Sequence, residues 1–167
     1  HSPGAPTRLL VAVAHPDDET FGCGGLLLHA AAAGTDTYVV CATRGEAGEG
    51  GTGDEPLGVV RERELHRAAA VLGVREVTLL AHRDSGMSGE PEPGTLAALE
   101  PDALAAELEA HVARVRPEVV VTLDASDGHR DHEVMRDAAV AAATAAGVPR
   151  VHLVCLARSS MVRWVEH

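Results

Sequence analysis

Two short segments concentrate imidazoles and carboxylates: His15-Pro16-Asp17-Asp18-Glu19, and Asp124-Ala125-Ser126-Asp127-Gly128-His129-Arg130-Asp131-His132. Nitrogen and oxygen donors without thiolates suit a catalytic Zn2+ or a similar divalent ion. Such a site takes three protein ligands and leaves one position for water. His15, Asp17, Asp18, Glu19, His129, Asp131 and His132 all compete for those places. The surplus is what hydrolysis needs, since a general base and an acid or oxyanion stabiliser must stand beside the metal. Each segment also has a plainer reading. The first reads as a helix-capping turn, with acids favoured near a helix N-terminus. The second reads as the solvated start of a helix. Other signatures fail: Gly22-Cys23-Gly24-Gly25 lacks the last glycine of G-x-G-x-x-G, where Leu27 stands. G-x-S-x-G and P-loop patterns are absent. Ser85 has no assignable histidine partner.

Both segments follow apolar runs that read as strands. Leu9–Ala14, Tyr38–Thr43, Val77–Ala81, Val119–Leu123 and Val151–Leu156 are short and rich in Val and Leu. Between them lie Ala- and Leu-rich stretches of helical spacing. These are Gly25–Ala33, Val59–Leu72, a helix beginning at Pro101 and stopping before Pro117, and a fourth marked by Val134, Ala138, Ala141 and Ala145. The alternation predicts an α/β fold, a Rossmann-like three-layer α/β/α sandwich on a mostly parallel five-stranded sheet. In the order 3-2-1-4-5, strands one and four are neighbours whose following loops diverge. The crevice there brings the two histidine-acid segments together. Loops 44–56 and 82–100 also follow strand ends, where α/β proteins build sites. After the fifth strand, Trp164-Val165-Glu166-His167 reads as the start of a further helix.

Composition narrows the partners. Lys plus Arg number 14 against 25 Asp plus Glu, a net charge of −11, which is the wrong sign for tracking phosphates. With Phe21, Tyr38 and Trp164 as the whole aromatic set, stacking platforms for single strands are scarce. Nucleic acid and anionic membranes are therefore not expected partners, and no apolar run approaches the ~18 residues of a span. Cys23, Cys41 and Cys155 are odd in number and widely spaced, which suits buried thiols better than a disulfide framework. With no signal peptide visible, a cytoplasmic location is expected. A homo-oligomer is compatible with these features.

The motifs resemble those of the PIG-L/LmbE-like zinc-dependent de-N-acetylase family. The likeness rests on Ala14-His15-Pro16-Asp17-Asp18-Glu19 with Gly24-Gly25, and on His129-x-Asp131-His132. It continues through Thr43, Gly45-Glu46, Arg61-x-x-Glu64, Leu72-Gly73, Asp84-Ser85-Gly86-Met87 and Arg116-Pro117. Asp84-Ser85-Gly86-Met87 is similar to the actinobacterial, mycothiol-type branch. The resemblance implies that His15, Asp18 and His132 ligate one zinc ion per chain and that Asp17 is the general base. It implies that His129 stabilises the oxyanion or protonates the leaving amine, with Asp131 orienting a histidine. Arg61 and Asp84 become substrate contacts, although Arg61 also reads as a solvated helix residue and Asp84 as a turn cap. The sequence departs from the pattern at Arg130, where Pro is usual, and at Asp127, where the mycothiol-type branch carries Tyr. Residues 1–167 are expected to form one LmbE-like domain lacking a C-terminal portion. The implied reaction removes an N-acetyl or other N-acyl group from a small-molecule amino sugar or an N-acetylglucosaminyl conjugate. The alternatives are another metal hydrolase, such as a phosphoesterase, and a non-catalytic metal- or sugar-binding domain.

Overall fold

The computed structural model describes residues 6–49 and 53–155. Five strands, β1 (Arg8–Val13), β2 (Asp36–Thr43), β3 (Glu76–His82), β4 (Val119–Leu123) and β5 (Arg150–Val154), form one sheet. Its order is β3-β2-β1-β4-β5 and every neighbouring pair is parallel. The expected fold class and strand order are therefore what the chain adopts. The tail of the expected fifth strand, at Leu156, and the stretch around Trp164 lie outside the described residues.

Side-chain alternation along β1 divides the core in two. Leu10, Ala12 and Ala14 face one way and join Leu104, Leu108, Met135 and Ala139. Leu9, Val11 and Val13 face the other and join Leu27, Leu65 and Leu72. So α4 (Pro101–Val115) and α5 (Arg130–Ala145) cover one face, while α2 (Gly24–Ala32) and α3 (Leu57–Val71) cover the other. This is the arrangement that right-handed crossovers on either side of β1 impose. Central strands buried on both faces explain the unbroken apolar runs of β1 and β4. The turn after α3 needs Gly73, which has φ +73° and whose added Cβ would lie 2.8 Å from the Ala31 methyl.

Two small elements go beyond the sequence expectation. A four-residue helix, α1 (Asp18–Phe21), sits between β1 and α2, and a 3-10 turn occupies Leu96–Ala98. Both are too short to leave a periodic signal. No helix among the described residues is long and apolar enough to cross a membrane.

Candidate metal and catalytic centre

The C-terminal ends of β1 and β4 are adjacent. The chain leaves β1 toward α1, α2 and β2, and leaves β4 toward α5 and β5 on the opposite side. The crevice between these departures is the switch point of the sheet. His15 and Asp18 enter it from the first loop, and His129, Asp131 and His132 from the second. Both segments do begin helices, but their buried groups go beyond the plainer readings. Asp17 precedes α1 without any side-chain capping bond. Asp131 is fully buried and His132 nearly so, not solvated.

Three atoms converge at the centre. His15 Nδ1 lies 3.3 Å from His132 Nε2 and 3.5 Å from Asp18 Oδ2, and the last two are 3.2 Å apart. The outer ring nitrogens are occupied by carboxylates. His15 Nε2 is 3.1 Å from Asp131 Oδ2 and 3.5 Å from Asp84 Oδ1, and His132 Nδ1 is 2.6 Å from Asp127 Oδ2. In its neutral form each imidazole would donate its proton outward to these carboxylates and turn a lone pair inward. Two lone pairs and a carboxylate oxygen facing one another repel unless a cation stands among them. Ligands about 2.0–2.1 Å from a tetrahedral ion sit ~3.3 Å apart, which is the spacing of this triangle. The groups therefore fit a divalent ion. Two looser triads, His15 with His129 and His132, and His15 with Asp84 and Asp131, also bring donor atoms within 4.8 Å of one another.

The electrostatics agree. Burial works to lower the pKa of His15, yet its contacts with Asp131, Asp18 and Asp84 raise it well above the usual value. His132 is likewise depressed by burial but raised overall by Asp18 and Asp127. Asp18 is pushed up by burial and pulled down further by the two histidines, ending far below the ordinary carboxylate range. Positive charge is what this cluster draws.

Asp17 stands beside the triangle in an uncommon conformation, φ +106°, disfavoured for any residue with a Cβ. Two neighbours hold it there. The Glu19 carboxylate, almost fully buried, accepts the Asp17 backbone N–H at 2.9 Å. Arg61 Nη2 donates to Pro16 O at 2.6 Å and to Asp17 Oδ2 at 2.7 Å, while Nη1 donates to Gly45 O at 2.8 Å. A Cβ on Gly45 would meet Arg61 Nη1 at 2.2 Å, so glycine is required for this clamp. Arg61 is therefore not a solvated helix residue. Burial and the charge of Asp18 push the Asp17 carboxyl up to about 6, against the opposing pull of Arg61.

The histidine that the Asp131 carboxylate holds is His15, not His129, and the same carboxylate accepts the Ser85 N–H at 3.0 Å. The Asp131 backbone N–H donates to His129 Nδ1 at 3.2 Å, making His129 the N-cap of α5. Nδ1 is thus an acceptor, and the proton belongs on Nε2. Burial lowers the His129 pKa, and the nearby His15 and His132 lower it further. The ring is held neutral, not cationic.

Asp84 caps a turn and braces the His15 side of the site. Its Oδ1 accepts the Gly86 N–H at 2.9 Å, which is the turn cap, and its Oδ2 accepts the Ala47 N–H at 3.2 Å. It thereby ties the loop after β2 to the His15 side of the site. Ser85 is structural: its hydroxyl oxygen accepts the Ala97 N–H. Reasoning from sequence missed the bracing role of Glu19 and the contact of Asp127 with His132. Glu19 was legible as a competing ligand in the acidic run, not as a brace for Asp17. The site opens into a cleft of about 540 Å³ whose walls include Leu57, Val60, Arg61, Glu64, Asp84 and Met87.

Residues 10–143 match the family described as PIG-L: GlcNAc-PI de-N-acetylase. The chain is 40% identical to a 1D-myo-inositol 2-acetamido-2-deoxy-alpha-D-glucopyranoside deacetylase of Nakamurella multipartita, over 87% of this chain and 58% of that protein. It spans little more than half the length of such relatives. Among solved structures, a conserved protein of Thermus thermophilus is 32% identical with a TM-score of 0.69, covering 92% of this chain and 68% of that one. The zinc-inhibited form of a teicoplanin deacetylase is 25% identical with a TM-score of 0.70, covering 86% and 66%. From its strand order, its paired histidine-acid segments and a match spanning most of its length, the chain belongs to the PIG-L, or GlcNAc-PI de-N-acetylase, family.

Proposed function

We propose that this chain is a metal-dependent amidohydrolase that removes the N-acetyl group of an amino sugar or an N-acetylglucosaminyl conjugate. The observation that carries the reading is the triangle of inward-facing acceptors, with a clamped carboxylate and a neutral imidazole beside it at the floor of an open cleft. Family membership and the relatives' substrates support it. His15 Nδ1, Asp18 Oδ2 and His132 Nε2 would hold the ion, for which zinc is our assignment. When bound, the ion supplies a Lewis acid that polarises the amide carbonyl and acidifies the attacking water.

Asp17 takes the proton of that water as its oxygen bonds to the acyl carbon. Arg61 keeps the accepting carboxylate aimed, and Glu19 keeps the backbone that carries it in place. His129 donates from Nε2 to the oxygen on which negative charge develops. As the C–N bond breaks, Asp17 passes that proton to the nitrogen, and the remaining proton of the new carboxyl group moves to the amine, so that acetate and an ammonium leave. Arg61 and Asp84 line the cleft and are assigned contacts with sugar hydroxyls. Three of the five guanidinium donors are already engaged by Pro16, Asp17 and Gly45.

The test is product analysis on N-acetylglucosaminyl inositol and simpler N-acetylglucosaminides, following free amine and acetate together. Equimolar release of both is expected, and it should cease after dialysis against a chelator and return with metal. Phosphate release from phosphoesters without amine release would establish the phosphoesterase alternative. Turnover of neither class by metal-loaded protein would establish the binding-domain alternative.

The capping role of His129 gives a sharper variant than alanine. Asparagine is a good N-cap, so His129→Asn should preserve α5 while deleting the Nε2 donor. We expect metal content and thermal stability close to wild type and kcat lower by ~10²–10³-fold, with KM little changed. A normal kcat in this variant would place the oxyanion donor elsewhere.

A further inference from the structure

Asp127 precedes His129 by two residues and touches two parts of the site. Its side chain is largely buried in the loop between β4 and α5. Oδ1 accepts the His129 backbone N–H at 3.0 Å, closing a short turn through Gly128, whose φ is +81°. Oδ2 receives the His132 Nδ1 proton at 2.6 Å. One carboxylate therefore holds both the path of the loop and the orientation of an imidazole five residues on.

We infer that Asp127 is a positioning residue that sets metal affinity by fixing the tautomer and rotation of His132. The inference rests on the proposal that His132 is a ligand. An imidazole without an outer partner shares its proton between its two nitrogens, and a proton on Nε2 blocks the lone pair that the ion needs. An acceptor on Nδ1 removes that tautomer. A charged acceptor does more, because it makes the ring a stronger donor toward a cation. The short contact belongs to the charge-assisted class, about twice as strong as a neutral hydrogen bond. His15 has an analogous arrangement, but its outer nitrogen is shared between Asp131 at 3.1 Å and Asp84 at 3.5 Å. Among the described residues, the outer nitrogen of His132 depends on Asp127 alone.

Two variants separate the ring contact from the loop contact. Asp127→Ser keeps an oxygen for the His129 N–H but is too short to reach His132. Asp127→Asn removes the charge and keeps one acceptor oxygen; the other position becomes an N–H donor that faces one of the two N–H groups badly. Zinc dissociation constants are measured by competition with a chromogenic chelator on the full chain, alongside melting temperatures of the metal-free proteins. Wild type should bind one ion per chain. The serine variant should bind ~10–100-fold more weakly. The asparagine variant, with an N–H in place of one acceptor, should also bind more weakly, by ~3–100-fold, and the metal-free melting temperature of the serine variant should stay close to that of wild type. Serine or asparagine variants that bind as tightly as wild type overturn the inference. Should the serine variant fail to fold, the asparagine constant decides alone. A wild-type chain that binds no zinc overturns the ligand assignment itself, an outcome distinct from equal binding by all three proteins.

Discussion

Asp18→Ala protein should emerge from purification without a stoichiometric divalent ion. Asp18 Oδ2 is one corner of the acceptor triangle, only 3.2 Å from His132 Nε2, and it also accepts the His15 backbone N–H at 2.8 Å. Its removal takes away a negative charge and leaves two imidazole lone pairs facing each other. Loss of an outer hydrogen-bond partner commonly costs ~10–100-fold in metal affinity, and loss of a ligand exceeds that. Elemental analysis after dialysis, with wild type in parallel, reads the effect directly. Equal retention of metal by both proteins would falsify the assignment of this triangle. Amine release should fall in step with metal content and should not be recovered by added zinc at concentrations that saturate wild type.

Asp17→Asn should leave the metal in place and remove turnover. The carboxylate is next to the triangle but no corner of it, and Asn retains the Arg61 contact through its carbonyl oxygen. What it lacks is a site for the proton of the attacking water. A general base contributes ~10²–10⁴-fold, and a kcat lower by that factor is expected with KM nearly constant. The pH profile gives an independent signature. Burial and Asp18 raise the Asp17 carboxyl to about 6, and only its ionised form accepts a proton. Wild-type kcat should therefore climb as pH rises on the acid side. Added positive charge from a bound ion moves that limb below about 6. Measured at saturating metal, the limb should be absent from the residual activity of the Asn variant. A zinc-loaded Asn variant with near-normal kcat would transfer the role of base to another carboxylate, Glu19 being the first to test.

The fold could be read from pattern because its signals are local and repeated. An all-apolar β4, helices bounded by Gly or Pro, and chemistry-bearing loops after strands one and four left few topologies open. The types of the central residues were legible for the same reason. The pairings of the outer groups were not. Whether the Asp131 carboxylate turns to His15 or to His129 depends on the path of a loop arriving from 116 residues away in sequence. The role of Arg61 depends on α3 presenting it to the far side of Pro16-Asp17, which helical periodicity does not reveal. The positive φ of Asp17 is hidden too, since it is imposed by Glu19 and Arg61 against the local preference of an Asp. Backbone strain held by its surroundings is a property of the assembled site.

The adjacency of β1 and β4 also bears on how the molecule comes into being. Their ladder, Leu9 to Val119 through Val11 to Val121, joins segments separated by the whole of β2, β3 and the helices between them. Bringing His15 to His132 closes a contact across 117 positions. Chain entropy makes such distant parallel pairings slow to form, whereas β1 with β2 needs only one short crossover. A nascent chain that has completed β1, β2 and β3 owns half of the centre and none of its chemistry. An ion that binds the completed triangle favours the finished fold over every earlier state by mass action. The same three atoms would then serve as a tether drawn tight at the last stage of folding, locking together two halves that the ribosome delivers far apart in time.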